Sequence, residues 1–93
     1  MLKRDLVEKT TDCLDGYLKK DISKAVDIII ETMAESLDQG KRVEIRGFGS
    51  FSLHYRAPRR GRNPKTGEEV PIEPRRVLVF RPSHILKDKI NEG

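Results

Sequence analysis

The chain has 93 residues, of which 37% are charged, with a formal net charge of +4 and a single cysteine. That length is one domain near the lower limit for an independent core. One cysteine excludes an internal disulfide, no Cys/His set has metal-ligand spacing, and no apolar run approaches a membrane span. No secretory leader is recognisable, so a soluble, cytoplasmic location is expected. The charge is uneven: residues 1–39 carry net −3, residues 40–52 net +2, residues 53–81 net +5, and residues 82–93 balance. Such asymmetry is a footprint for a polyanion. The plain alternative is a solvated surface.

Residues 3–14 predict a short helix. Leu6, Val7, Thr10, Cys13 and Leu14 recur at three- and four-residue spacing, and Gly16 follows as a stop. Cys13 falls on the apolar side, where a buried structural thiol is expected. A longer helix is predicted over 20–38, with Ile22, Ala25, Val26, Ile29, Met33 and Leu37 in one stripe and Ile28, Ile30 and Ala34 widening it. A short first helix cannot cover that stripe, so part of it is expected to pack on a second subunit. Gly40 supplies a C-terminal stop, whereas Leu18-Lys19-Lys20 offers no capping side chain at the start.

The period then shortens to two. In Lys41–Arg46, Val43 and Ile45 alternate with Arg42, Glu44 and Arg46; Gly47-Phe48-Gly49 predicts a tight reversal; and Phe51, Leu53 and Tyr55 alternate with Ser52, His54 and Arg56. Beyond this hairpin, residues 56–76 hold four prolines (Pro58, Pro64, Pro71, Pro74), seven basic residues and little apolar surface. This segment cannot join a core, so it is expected to project as a ribbon that pairs only in part. Asn63-Pro64-Lys65-Thr66-Gly67 is a turn signal that puts Pro64 at the distal end. A third strand is predicted over 76–81, ended by Pro82, and Ser83 caps a last helix over about 84–91. The expected class is α+β: two N-terminal helices, a three-stranded antiparallel sheet with a long β-ribbon arm, and a short C-terminal helix. The parts are residues 1–39, helical and dimerising; 40–56 and 76–82, the sheet; 57–75, the arm; and 83–93, the last helix.

Phosphates are bound by fixed cations and by N–H groups at helix N-termini. The projecting segment offers Arg56, Arg59, Arg60, Arg62, Lys65, Arg75 and Arg76. Arginine dominates, which suits phosphate forks and a narrow minor groove. A rigid apolar tip such as Pro64 could wedge between base pairs; its plain role is to form the turn. In the Arg42–Glu44–Arg46 triplet, the carboxylate can orient a guanidinium toward minor-groove acceptors, or simply form a surface ion pair.

The run G-F-G-S-F at Gly47–Phe51, followed by R-x-G-R-N-P-K-T-G-E at Arg59–Glu68, resembles the bacterial HU/integration host factor family of DNA-bending proteins. The likeness covers essentially the whole chain. Residues 42–67 are similar to the beta subunits of integration host factor, and residues 75–82 to its alpha subunits. The resemblance implies an intertwined dimer whose two arms reach round the minor groove, with Pro64 intercalating and Arg62, Asn63 and Lys65 beside it at the tip. It implies that Arg42, Glu44 and Arg46 sense sequence, and that Lys3, Arg81 and Ser83, at the start of the last helix, contact DNA. The expected partners are double-stranded DNA and a second subunit, either a copy of this chain or an alpha-like chain.

Two other classes are weighed against this reading. A protein-interaction or RNA-binding module would use the same basic arm, but few aromatics lie on the outward faces for single-strand stacking. An enzyme is not expected: His54, His84 and Cys13 fall on different elements, with no nucleophile motif and no phosphate loop of defined spacing. No cofactor and no metal is expected.

Overall fold

The computed structural model describes residues 1–56, 59–72 and 75–92, with residues 59, 60, 71 and 72 described by backbone alone. Pro58 and Pro74 lie outside the described residues, as do the side chains of Arg59 and Arg60. The chain forms two compact units, Met1–Ser36 and Leu37–Gly93.

In the first unit, helix α1 spans Lys3–Cys13 and helix α2 begins at Lys19 and runs to Asp38. The start of α1 is closed by the Asp5 carboxylate, which accepts the Leu2 N–H at 2.7 Å. Leu14 donates back to the carbonyls of Thr10 and Thr11, and Gly16 turns the chain at φ +83°. The start of α2 has only backbone closure, from the N–H groups of Asp21 and Ile22 to the Leu18 carbonyl. This is the weak cap expected from Leu18-Lys19-Lys20. Val7 of α1 packs with Ile22 and Val26 of α2, and these three make the buried apolar cluster of the described residues. Thr10 is half-buried, and its hydroxyl is satisfied within the helix by donating to the Leu6 carbonyl at 2.7 Å.

Much of the predicted stripe is left uncovered by the chain itself. Ile28 is 53% exposed and Ile29 58%, and Leu6, Leu14 and Ile30 are also exposed. The expected burial of Cys13 is corrected: its thiol is exposed. Helical periodicity places Cys13 on one side of α1, but among the described residues its thiol is not covered.

In the second unit, strands β1 (Val43–Ile45) and β2 (Gly49–Arg56) form an antiparallel hairpin. Beyond β2 come β3 (Arg59–Arg62), β4 (Glu69–Ile72), β5 (Arg75–Pro82) and helix α3 (His84–Glu92). The main sheet has the order β1-β2-β5, and β3 pairs with β4 as a two-stranded ribbon. Strand β1 is shorter than the predicted 41–46, so Arg42 precedes it and Arg46 opens the turn. The β2–β5 ladder runs from Gly49↔Pro82 to Arg56↔Arg75, and the β3–β4 ladder from Arg59↔Ile72 to Arg62↔Glu69. The partner numbering of the second ladder continues that of the first, so both share one pairing frame.

The two glycines of the reversal have different reasons. Gly47 takes φ +83°, a conformation that disfavours side chains, in open space. Gly49 is buried, and a Cβ there would stand 2.5 Å from the Arg81 carbonyl oxygen and 2.6 Å from the Phe80 ring. The Phe80 ring also meets Phe51 at 4.8 Å and Phe48 at 5.5 Å between centroids, so it cannot swing away freely. Gly49→Ala is therefore expected to cost about 1–3 kcal/mol by overpacking. Urea unfolding at fixed protein concentration measures it, and a loss under about 0.5 kcal/mol would show that the ring relocates.

Candidate nucleic-acid interface

Alternation along β2 and β5 sorts the sheet into two faces. One face carries Phe51, Leu53 and Tyr55 opposite Phe80, Leu78 and Arg76, with Val43 and Ile45 of β1. The other carries Ser50, Ser52, His54 and Arg56 opposite Arg81, Val79, Val77 and Arg75, with Glu44 of β1. On this polar face His54 is half-buried, and its Nε2 lies 3.4 Å from the Ser52 hydroxyl.

At the base of the polar face lies a shallow groove of about 300 Å³, lined by Arg42, Glu44, Arg46, Ser50, Arg81 and Ser83 among others. Glu44 accepts from the Arg42 guanidinium at 3.4 Å, in a pair that is largely exposed on both sides. Such a pair contributes little stability in water. It does leave three guanidiniums against one carboxylate, so the groove is net cationic. Ser83 closes one end of it. Its hydroxyl caps α3 by accepting the Leu86 N–H at 3.1 Å, and its own N–H is fixed on the Phe48 carbonyl at 2.9 Å. The positive end of α3 thus sits at the groove.

Further along the same face, Arg56 and Arg75 stand directly opposite each other, both exposed. Like charges in cross-strand register destabilise a ladder, and an anion lying across both removes the penalty. At the far end of the ribbon, Asn63 to Gly67 reverse the chain, with Arg62, Pro64 and Lys65 exposed. Gly67 turns at φ +73°, its N–H donating to the Asn63 carbonyl at 2.7 Å.

Arg42, Glu44, Arg46, Arg81 and Ser83 thus share one groove, Arg56 and Arg75 continue its face, and Arg62, Asn63, Pro64 and Lys65 form the tip. Arg59 and Arg60 are placed by backbone pairing, with Ile72 and Pro71. Arg76 is set apart. It lies on the opposite face, paired with Tyr55, and its guanidinium donates to the Asp38 carbonyl at 2.8 Å and carboxylate at 3.1 Å. That fork satisfies a free carbonyl at the end of α2 and ties β5 to it. Lys3 belongs to the helical unit. Its ammonium donates to Asp27 at 2.7 Å, and this hydrogen bond, reinforced by the charge of Asp27, raises the lysine pKa above its ordinary value.

Three residues here were missed in the sequence. Ser50 lies opposite both Glu44 and Arg81 in the groove, and continuing the Ser52–His54 alternation backwards would have found it. Thr66 accepts the Glu68 N–H at 3.3 Å and is implicit in the turn signal. Asp38, the partner of Arg76, gives no local signal. Among the described residues, no group of three His, Cys, Asp or Glu is placed to hold a metal ion.

Comparison with known proteins agrees with this geometry. Residues 1–91 match the family model described as bacterial DNA-binding protein. Integration host factor subunit beta of Hahella chejuensis is 54% identical over 91 residues, covering 98% of this chain and 93% of that protein. The same subunit of Teredinibacter turnerae is 52% identical over 93 residues, covering 100% and 95%. Among solved structures, an Anabaena HU–DNA cocrystal structure superposes with TM-score 0.83 at 32% identity, covering 100% of both chains. HU from Thermotoga maritima gives TM-score 0.66 at 30% identity, covering 97% of this chain and 98% of that one. With the cationic groove, the ribbon and the helix order all accounted for, the chain belongs to the bacterial DNA-binding protein family, that of HU and integration host factor.

Proposed function

We propose that this chain is one subunit of a dimeric architectural protein that binds the minor groove of duplex DNA. It bends the duplex sharply by inserting Pro64 between base pairs, a wedge mechanism for which this family is itself a standard illustration. The observation that carries the reading is the ribbon tip: an exposed proline at the turn of a two-stranded ladder, in a segment rich in arginine. Arg56, Arg59, Arg60, Arg62, Lys65 and Arg75 hold phosphates, Arg81 and the capped start of α3 hold the flank, and Lys3 adds a contact from the helical part. Arg42, Glu44 and Arg46 give some preference for sequence. Such a protein acts in recombination, replication, transcription control and nucleoid organisation, in the cytoplasm.

The partner subunit is a second copy of this chain or an integration host factor alpha-like chain. Support comes from the uncovered apolar residues Ile28, Ile29, Leu78 and Phe80, all exposed in the single chain. Apolar exposure on that scale marks an interface. Residues 1–39 are the dimerising part, and residues 57–75 the arm. A homodimer has a solution mass of about twice the 10.7 kDa of the chain. Light scattering of the chain purified alone distinguishes the two cases, since an unfolded or monomeric product points to a different second subunit.

Pro64→Ala is expected to shrink the bend, read by energy transfer between dyes at the two duplex ends, while the dependence of affinity on salt keeps its slope. No cation is removed by that change. A bend equal to the parent's would end the wedge reading.

A second reading, an HU-like nucleoid protein with little sequence preference, draws on the likeness to the two HU structures. Glu44 favours the first, because a carboxylate in a cationic groove lowers affinity for phosphate and so needs another purpose. Selection of sites from a random duplex pool decides it. The parent is expected to enrich a motif, and Glu44→Ala to lower discrimination by about 1–3 kcal/mol, the scale of one oriented base contact. A flat pool for the parent supports the second reading.

A further inference from the structure

The loop at the ribbon tip is closed largely by one residue. Asn63 donates its N–H to the Glu68 carbonyl at 2.8 Å and accepts the Gly67 N–H on its own carbonyl at 2.7 Å. Its side-chain Oδ1 accepts the Lys65 N–H at 2.9 Å, bridging over Pro64. All three hydrogen bonds are local to the tip, and Asn63 is half-buried where Pro64 and Lys65 are exposed. Proline restricts the residue before it to extended backbone, which is the geometry from which a short amide reaches forward two residues. Pro64 fixes its own φ. The rigid ring is therefore gripped on both sides, by the Oδ1 bridge ahead of it and the backbone closure behind.

We infer that Asn63 is a positioning residue, whose side-chain oxygen holds the tip loop in the shape that presents Pro64 to the duplex. This rests on the wedge reading and gives Asn63 a role other than direct DNA contact. Opening a base step is costly, and a tip that had to be ordered at the same moment would add its own entropy to that cost. The Oδ1 bridge orders the tip beforehand. Asp keeps the acceptor, loses the two amide donors and adds a charge whose repulsion of phosphate is offset by working at saturating protein; Ala loses both groups, and neither touches the sheet or the helices. The acceptor role and the donor role are thereby separable by substitution.

The experiment compares the parent, Asn63→Ala, Asn63→Asp and Pro64→Ala at saturating protein on an end-labelled duplex. Energy transfer reports the bent fraction, and thermal melting by circular dichroism confirms an intact fold. The Ala variant is expected to lower the bent-to-unbent ratio about fivefold, the factor for one net hydrogen bond. The Asp variant is expected to stay within about twofold of the parent, since the forward bridge survives. Equal losses in Ala and Asp would mean that the amide donors contact DNA, and would overturn the inference. A parent-like bend in Asn63→Ala, with Pro64→Ala defective, would overturn it while leaving the wedge reading intact. A parent-like bend in Pro64→Ala would remove the wedge reading and this inference together.

Discussion

The register of the β2–β5 ladder governs everything distal to it. An isolated two-stranded ribbon is marginal in water. The β3–β4 ribbon gains its frame from eight pairs, Gly49↔Pro82 to Arg56↔Arg75, that already belong to a three-stranded sheet. A one-residue slip of β5 on β2 would carry Arg75 and Arg81 to the apolar face and Leu78 and Phe80 to the polar one. Three features resist that slip. Gly49 admits the Phe80 ring only in this frame, Pro82 lacks the N–H for continuing the ladder, and Arg76 is forked onto the end of α2.

The same register creates an electrostatic tension. Setting Arg56 across from Arg75 places two cations where a β-ladder brings side chains closest, and three guanidiniums crowd one carboxylate in the groove below. A surface selected for stability alone would interleave opposite charges, as Lys3–Asp27 and Lys19–Glu8 do on the helices. The two units differ in this respect. On the helices Lys3 and Lys19 are paired within the chain; on the polar face of the sheet one carboxylate meets three guanidiniums and Arg56 faces Arg75, an excess that suits an anion from outside. Family membership gives that anion its identity as DNA.

Most of the fold was legible because it rests on local signals. The change of period from about 3.6 to two near Lys41, the Asn63–Gly67 turn and the Ser83 cap each depend on a few neighbouring residues, and the elements they mark lie within a few residues of where they were expected. Long-range terms were not legible. The burial of Cys13 was misjudged because helical periodicity gives the side of a helix and not what covers it. Arg76 was grouped with the arm's cations because composition cannot see Asp38, 38 residues away, at the end of α2. Arg46 falls in the turn instead of the strand because β1 is cut short by the same backbone that frees Gly47. In the site, residue types were readable, whereas the sorting of cations between faces required the register.

Exposure of apolar residues joins these strands of reasoning. Within one chain the buried cluster is Val7, Ile22 and Val26, while Ile28, Ile29, Leu78 and Phe80 remain open. A second subunit that covers them stabilises the base from which the arm projects, and brings a second arm to the same duplex. Two arms on one base act at an effective concentration set by their spacing, so the second arm's contact is an intramolecular event once the first has bound. In the proposed wedge mechanism, a single arm would set the cost of opening one base step against the cations of one ribbon, and a second arm adds its own cations on the same duplex. A dimer that covers these residues also brings both arms to the duplex, so stability and DNA binding draw on the same association.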